Sequence, residues 1–341
     1  MKVMLAGSVS PFSAREEWHW AQAVLRQLSD KGHQVDLFTL PVVQDPLLLP
    51  EQFMALRLLS VDPGCDLLIT VGHPAFVLNH PRKRVLLFSL ASPLREWFDS
   101  EYGVLATPQY HSIRRSIEAA EKKCLAEAER IVCGSARLTN ILGDEYKIKS
   151  SAHILDDVYE DRNENDLPAQ ELWVVTESTL EPCDRVDLLL DSVVLSHGKW
   201  KLALFVPSSS AVYHNALLQR LEKLGIQERV FVLNAPLSTK ALEKSILCIV
   251  LRYKSSRIPE CTVRAVKSKT PTLTLSDCGA LLEIVRDNVN GWVLKPNARS
   301  IAQILDQASA DTSLLKKLSE GNRYLLKTIT DVGEIVRELT G

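Results

Sequence analysis

The chain has 341 residues, enough for two hydrophobic cores of ordinary size. Apolar residues make up 46% and charged residues 24%, with a formal net charge of −2, so the composition is that of a soluble globular protein without a global drive toward nucleic acid or anionic lipid. Seven scattered cysteines, an odd count with no pair at metal-knuckle spacing, argue against a disulfide framework or a metal site and fit a reducing cytoplasm. The apolar run from Met1 stops at Gly7-Ser8-Val9-Ser10 without a cleavage-like tail, and no segment approaches about 18 uninterrupted apolar residues, so neither a secretory signal nor a membrane span is expected.

In chain order, short β-branched runs alternate with helical periodicity. Lys2 to Ala6 predicts a strand, about 14 to 31 a helix, and Val35 to Leu40 a second strand. Ser13 and Glu16 form a capping box for that helix, Trp18, Ala21, Val24, Leu25 and Leu28 its inner face, and Gly32 its stop. Strands follow at Asp66 to Val71, Arg84 to Leu90 and Arg130 to Gly134, with helices near 51–61 and 111–129 and a short helix capped by Ser135. This is the rhythm of one doubly wound domain, 1–158.

The polar, acid-rich stretch within 159–168 reads as a linker. The rhythm then restarts over 169–325. Strands are predicted at Glu171 to Thr176, Lys201 to Val206, Arg229 to Leu233, Leu247 to Leu251, Thr272 to Leu275 and Trp292 to Leu294, with helices near 184–196, 211–224, 238–245, 260–268 and 278–286. The tail from Ala302 to Leu339 reads as helical throughout, and its last stretch, 326–341, could pack back on the first domain. The expected fold class is therefore α/β, with two Rossmann-like doubly wound domains facing a cleft at the carboxyl ends of their sheets.

From Thr270 the chain reads Thr-Pro-Thr-Leu-Thr-Leu-Ser-Asp-Cys-Gly-Ala-Leu-Leu-Glu and continues to Asn290-Gly291. This resembles the C-terminal domain of family 4 glycosyltransferases, which have the GT-B fold, with Asp277, Gly279, Glu283 and Gly291 at the matching positions. Thr179 to Leu190 is similar to the family's basic phosphate-gripping segment. His73-Pro-Ala-Phe76 with His80-Pro81, then Arg95 to Asp99, then Ile113 to Ser135 resemble its acceptor-side segments. The resemblance implies retaining transfer of a sugar, without an essential metal or cofactor, from a nucleotide-diphosphate donor to a hydroxyl on a glycan or small-molecule acceptor. Such chemistry calls for cations and backbone amides around the departing diphosphate, where negative charge develops.

The donor motifs are degenerate. The family's phosphate-gripping arginine falls on Thr179 and its lysine on Asp184, where a carboxylate would repel phosphate. Its two donor-sugar glutamates fall on Ser256 and Arg264, with Glu260 one helical turn away as a substitute. On the acceptor side the family histidine falls on Ser92, and the glycine loop on Gly7, Ser8 and Ser10. A compensating site is suggested by the basic stretch from Arg252 to Lys269, in which Pro259 suits the start of a helix whose amides could face an anion.

The candidate donor-binding residues are accordingly Ser178, Thr179, Asp184, Arg185, Asn234, Ser256, Arg257, Ile258, Pro259, Glu260 and Arg264. The acceptor-side candidates are Gly7, Ser8, Ser10, His73, Ser92 and Arg95. Glu260, His111 and His73 are the weak candidates for catalysis, the histidines being more often ordinary packed or exposed residues at such positions. Arg95 could orient an acceptor or pair with Asp99, and Asp187 caps its helix or pairs with Arg185.

Peripheral membrane contact through the mixed-charge helix 112–130 and homo- or hetero-oligomers are compatible with the sequence; nucleic acid is not an expected partner. A non-catalytic GT-B subunit binding a glycan, a nucleotide or a partner enzyme is the alternative, since both cations and both carboxylates are exchanged together. If the basic stretch holds the donor, Arg257→Ala weakens nucleotide-diphosphate binding in a titration; unchanged affinity returns it to the solvated surface.

Overall fold

The computed structural model describes residues 1–9, 16–42, 45–62, 64–159, 167–168, 170–207 and 211–341. They form two compact units, Met1–Tyr159 with Ile329–Gly341 and, separately, Glu160–Thr328. The expected capping box at Ser13, the Ser10 position and most of the expected linker 159–168 lie outside the described residues.

The first unit runs β1 (Lys2–Val9), α1 (Glu16–Asp30), β2 (Gln34–Pro41), α2 (Leu49–Leu58), β3 (Leu67–Val71), β4 (Lys83–Leu87), α3 (Pro108–Ala126), β5 (Arg130–Cys133), α4 (Ala136–Ile141), β6 (Ser151–Ala152) and β7 (Ile154–Leu155). The main sheet is parallel, in the order β2-β1-β3-β4-β5-β6. Every residue of β3 and β4 is buried, as a parallel strand covered on both faces requires; β3 reads as an apolar run broken only by Thr70, whereas β4 opens on the buried charges of Lys83 and Arg84 before Val85, Leu86 and Leu87. Helix α1 covers one face through Trp20, Val24 and Leu28, four residues apart on one stripe, while Trp18 is only partly buried. Helix α3 starts three residues before its expected first residue because Thr107 accepts from the Tyr110 amide as N-cap and Pro108 opens the first turn. Ser135 caps α4 in the same way, as expected.

The second unit runs β8 (Leu172–Glu177), α5 (Val186–Leu195), β9 (Trp200–Phe205), α6 (Ala211–Leu224), β10 (Val230–Leu233), α7 (Thr239–Glu243), β11 (Ser245–Ile249), α8 (Glu260–Lys267), β12 (Thr272–Leu275), β13 (Gly291–Leu294), α9 (Ala298–Ala310) and α10 (Thr312–Leu325). Its sheet is parallel in the order β10-β9-β8-β11-β12-β13, the arrangement of dinucleotide-binding domains. The chain then returns to the first unit with β14 (Ile329–Thr330), which pairs with β7, and α11 (Val332–Thr340). Ile335, Val336 and Leu339 of α11 are buried with Trp20, Ala21 and Val24 of α1.

Two expected helices are corrected. The tail is not helical throughout, because Ile329–Thr330 leave the helix to pair with β7. Residues 278–286 form only a single tight turn, Gly279–Glu283: Gly279 takes a φ of +69°, a side chain there would overlap the Ser255 carbonyl, and the Ala280 amide donates to that same carbonyl at 2.7 Å. The glycine of the resembled motif is thus explained by backbone meeting backbone.

At the start of β4 the Lys83 ammonium is fully buried and donates to the carbonyls of Phe76, Leu78 and Cys124 at 2.9, 3.1 and 2.8 Å, with Glu127 3.5 Å away. Burial pulls its pKa down, and Glu127 partly restores it. Three carbonyls depend on one side chain. Lys83→Met should therefore lower stability by about 3 kcal/mol, measured by urea unfolding, because it strands these acceptors without water.

Candidate functional site

In an open parallel sheet the connections diverge where the strand order reverses, leaving a crevice at the carboxyl ends of the two strands involved. In the second unit those strands are β8 and β11. Beyond β8 come Ser178 and Thr179, and beyond β11 comes Arg252.

Their donors converge on one carboxylate. Asp184 Oδ2 accepts from Ser178 Oγ at 2.9 Å and from both the amide and the hydroxyl of Thr179 at 3.0 Å. Asp184 Oδ1 accepts from Arg252 Nη1 at 2.6 Å, and Arg252 Nη2 donates to Glu181 at 2.7 Å. Asp184 sits in a tight turn, Pro182–Asp184, between two left-handed residues, Leu180 (φ 61°) and Arg185 (φ 53°). Ser178 Oγ also accepts from the Leu180 amide at 2.9 Å, fixing the entry to that turn. Burial pushes the Cys183 thiol up, so the middle of the turn adds no charge.

The next shell of contacts is structural. Arg185, 2% exposed in its side chain, pairs with Asp277 at 2.9 Å and lies 4.7 Å above the Tyr253 ring. The Tyr253 amide donates to the Cys183 carbonyl at 2.8 Å and the Lys254 amide to the Asp277 carbonyl at 2.9 Å. Asp277 therefore ties three loops together. The expected Arg185–Asp187 pair is replaced: Asp187 pairs with Arg220 instead, at 2.9 Å.

The segment before and within α8 is more deeply buried than its charge suggests. Ser256 and Ile258 are buried, Arg257 is half-buried, and Pro259 caps the helix in an extended conformation. Glu260 is buried in the first turn, where the helix dipole favours a carboxylate. Arg264, only 4% exposed, donates to the Leu237 carbonyl, while the Leu237 amide donates to Glu177 at 2.6 Å. Leu237 is thus held through both its carbonyl and its amide, and Arg264, expected to contact an anion, holds backbone. Asn234 is exposed after β10, two strands away from β8 in the sheet.

In the first unit the reversal lies between β1 and β3. Gly7 and Ser8 do not form the expected loop; they are strand residues of β1 paired with Thr39 and Leu40. His73 follows β3, with Phe53 and Phe76 each 5.6 Å from its ring and Nε2 3.6 Å from Glu121. Glu121 is fully buried and accepts from the Ala91 amide at 2.9 Å and from the Tyr146 hydroxyl at 2.7 Å. Burial and Glu121 together push the Tyr146 phenol up, so it stays a donor.

Arg95 does not pair with Asp99. It donates to Tyr146 Oη at 2.8 Å and meets Glu145 and, at 3.4 Å, Glu118. Asp99 instead accepts from the Ala106 amide. Ser92 bonds the Leu90 carbonyl at 3.4 Å, and His111 lies exposed on α3 against Phe98. Among the described residues no three His, Cys, Asp or Glu side chains are grouped to hold a metal ion, and no helix is long and apolar enough to cross a membrane.

No family model matches this sequence, and no curated protein matches it. Solved structures do. The sucrose-phosphate synthase of Thermosynechococcus elongatus is similar at a TM-score of 0.75 and 15% identity, over 99% of this chain and 97% of that one. A glycosyltransferase of Rickettsia africae is similar at 0.68 and 15%, over 98% and 96%. HepE of Anabaena, in complex with UDP-glucose, is similar at 0.71 and 14%, over 100% and 98%. At these identities the likeness shows the fold, two Rossmann-type sheets in series as in GT-B glycosyltransferases.

Two residues of the site were not legible as such in the sequence. Arg252 stands out in the sequence only as one cation in a basic stretch, and Glu177 is not singled out there; the partners of both lie far along the chain. In a double-mutant cycle on Arg252→Met and Asp184→Asn, the two changes together should cost at least about 1 kcal/mol less than the sum of the singles, since each single leaves a partly buried charge behind.

Proposed function

We propose that the chain is a glycosyltransferase that receives a nucleotide-diphosphate sugar at the carboxyl ends of β8 and β11 and passes the sugar to a hydroxyl of a glycan or small-molecule acceptor. The observation that carries this reading is the oxyanion cradle of Ser178, Thr179 and Arg252 at the strand-order reversal. An amide, two hydroxyls and a guanidinium are the donors that a departing diphosphate needs, and they lie where parallel sheets of this order receive nucleotides. The binding of UDP-glucose by HepE supports the ligand class. Family resemblance supports a retaining route without an essential metal, and the odd, scattered cysteines support a cytoplasmic protein. His73, Ser92 and Arg95 belong to the acceptor side of the proposal.

A second reading, a non-catalytic subunit of the same fold, is favoured by one observation: the cradle is filled by the chain's own Asp184. Ser256 and Arg264 in place of two glutamates point the same way.

Titration with UDP, GDP and their sugars, with donor hydrolysis followed in the same samples, separates the two. Binding with turnover is expected, the product keeping the donor's anomeric configuration by NMR and turnover persisting in EDTA. Binding without turnover moves the assignment to the subunit reading. Inversion at the anomeric carbon would remove the retaining route while leaving transfer intact.

A further inference from the structure

The four donors around Asp184 differ from the group they bind in how they are held. Ser178 and Thr179 extend directly from β8, and the Ser178 amide itself donates to the Phe205 carbonyl of β9 at 2.9 Å. Arg252 follows β11, hydrogen-bonded alongside β8 in the same sheet. The donors are therefore fixed by the sheet. The anion they bind is carried by a separate turn, entered and left through left-handed non-glycine residues, so it reaches the donors as a side chain folded back from outside the sheet.

A carboxylate bound by one main-chain amide, two hydroxyls and a guanidinium occupies a set of donors suited to any tetrahedral oxyanion. Asp184 is 9% exposed in its side chain, so it excludes other anions sterically as well as by charge. We infer that these residues form an anion site of the phosphate class, specifically for a diphosphate, which the chain's own Asp184 keeps closed. A ligand entering it takes over the contacts to Ser178, Thr179 and Arg252. Glu181 then remains as a counter-charge for Arg252, which is why removing Asp184 does not leave that cation alone.

The choice of a diphosphate rests on the donor-side reading above; the closed site itself does not. Inorganic pyrophosphate, which carries neither base nor sugar, is therefore the probe. Calorimetric titration should show Asp184→Ala binding pyrophosphate more tightly than the unaltered chain by roughly tenfold or more, with a smaller gain for Asp184→Asn, which keeps the volume and removes the charge. Arg252→Met added to either variant should abolish the gain. Should the alanine variant fail to fold, the asparagine variant decides.

Folded variants with unchanged pyrophosphate affinity, or a gain that survives Arg252→Met, overturn the inference. Sugar transfer by the unaltered chain with no gain in either variant would sink the closed site and leave the transfer reading standing. A gain in the variants with no donor turnover does the reverse.

Discussion

The pairing of Asp184 with Arg252 is the interaction on which the second unit's strand ends depend. A carboxylate nine-tenths removed from water is stable only where cations and hydrogen-bond donors replace its hydration. Here Arg252 supplies the charge and Ser178 and Thr179 supply the remaining donors. Because Arg252 also binds Glu181 and the neighbouring Arg185 binds Asp277, the turn 181–185 is tied at both ends to the loops that follow β11 and β12. The charges at this edge are therefore organised before any ligand is considered, and a ligand must compete with internal partners rather than with water.

Most of the fold was legible because parallel strands covered on both faces are largely apolar, and β3 and β12 are unbroken apolar or threonine runs. The two-residue strands β6, β7 and β14 leave no comparable signature, since their existence depends on a partner elsewhere in the chain. The same reason hid the break in the tail, where Ile329 and Thr330 continue the helical pattern yet pair with β7. Residues 278–286 have a helical look, but a left-handed Gly279 pressed on the Ser255 carbonyl overrides local propensity.

Thr179 and Asp184 stand out in the sequence because a motif frames them, with a carboxylate at Asp184 where the resemblance implies a cation. The partner of that carboxylate is not legible there. Arg252 lies 68 residues further on, and only the adjacency of β8 and β11 brings the two together. Arg264 belongs to a basic stretch that suggests a site for an anion, yet all but the last residue of α8 are buried and Arg264 holds the Leu237 carbonyl. In the first unit, Glu121 was invisible for a related reason: a single acid in a helix of mixed charge gives no sign that it will be buried beneath His73 and Tyr146.

Arg264 and Asp184 carry different physical weight. The arginine at 264 is absorbed into the framework, where its guanidinium holds backbone, so an acid there would lose that bond and place a carboxylate near Glu177. Asp184 instead occupies donors that remain suited to an external anion, and its contribution is one charge with a compensating cation at hand. Exchange of one anion for another at fixed donors keeps the local hydrogen bonding satisfied throughout, so opening the site need not disturb the sheet. Arg264 thus cannot be replaced by an acid without repacking α8, whereas replacing Asp184 leaves the donors around it in place.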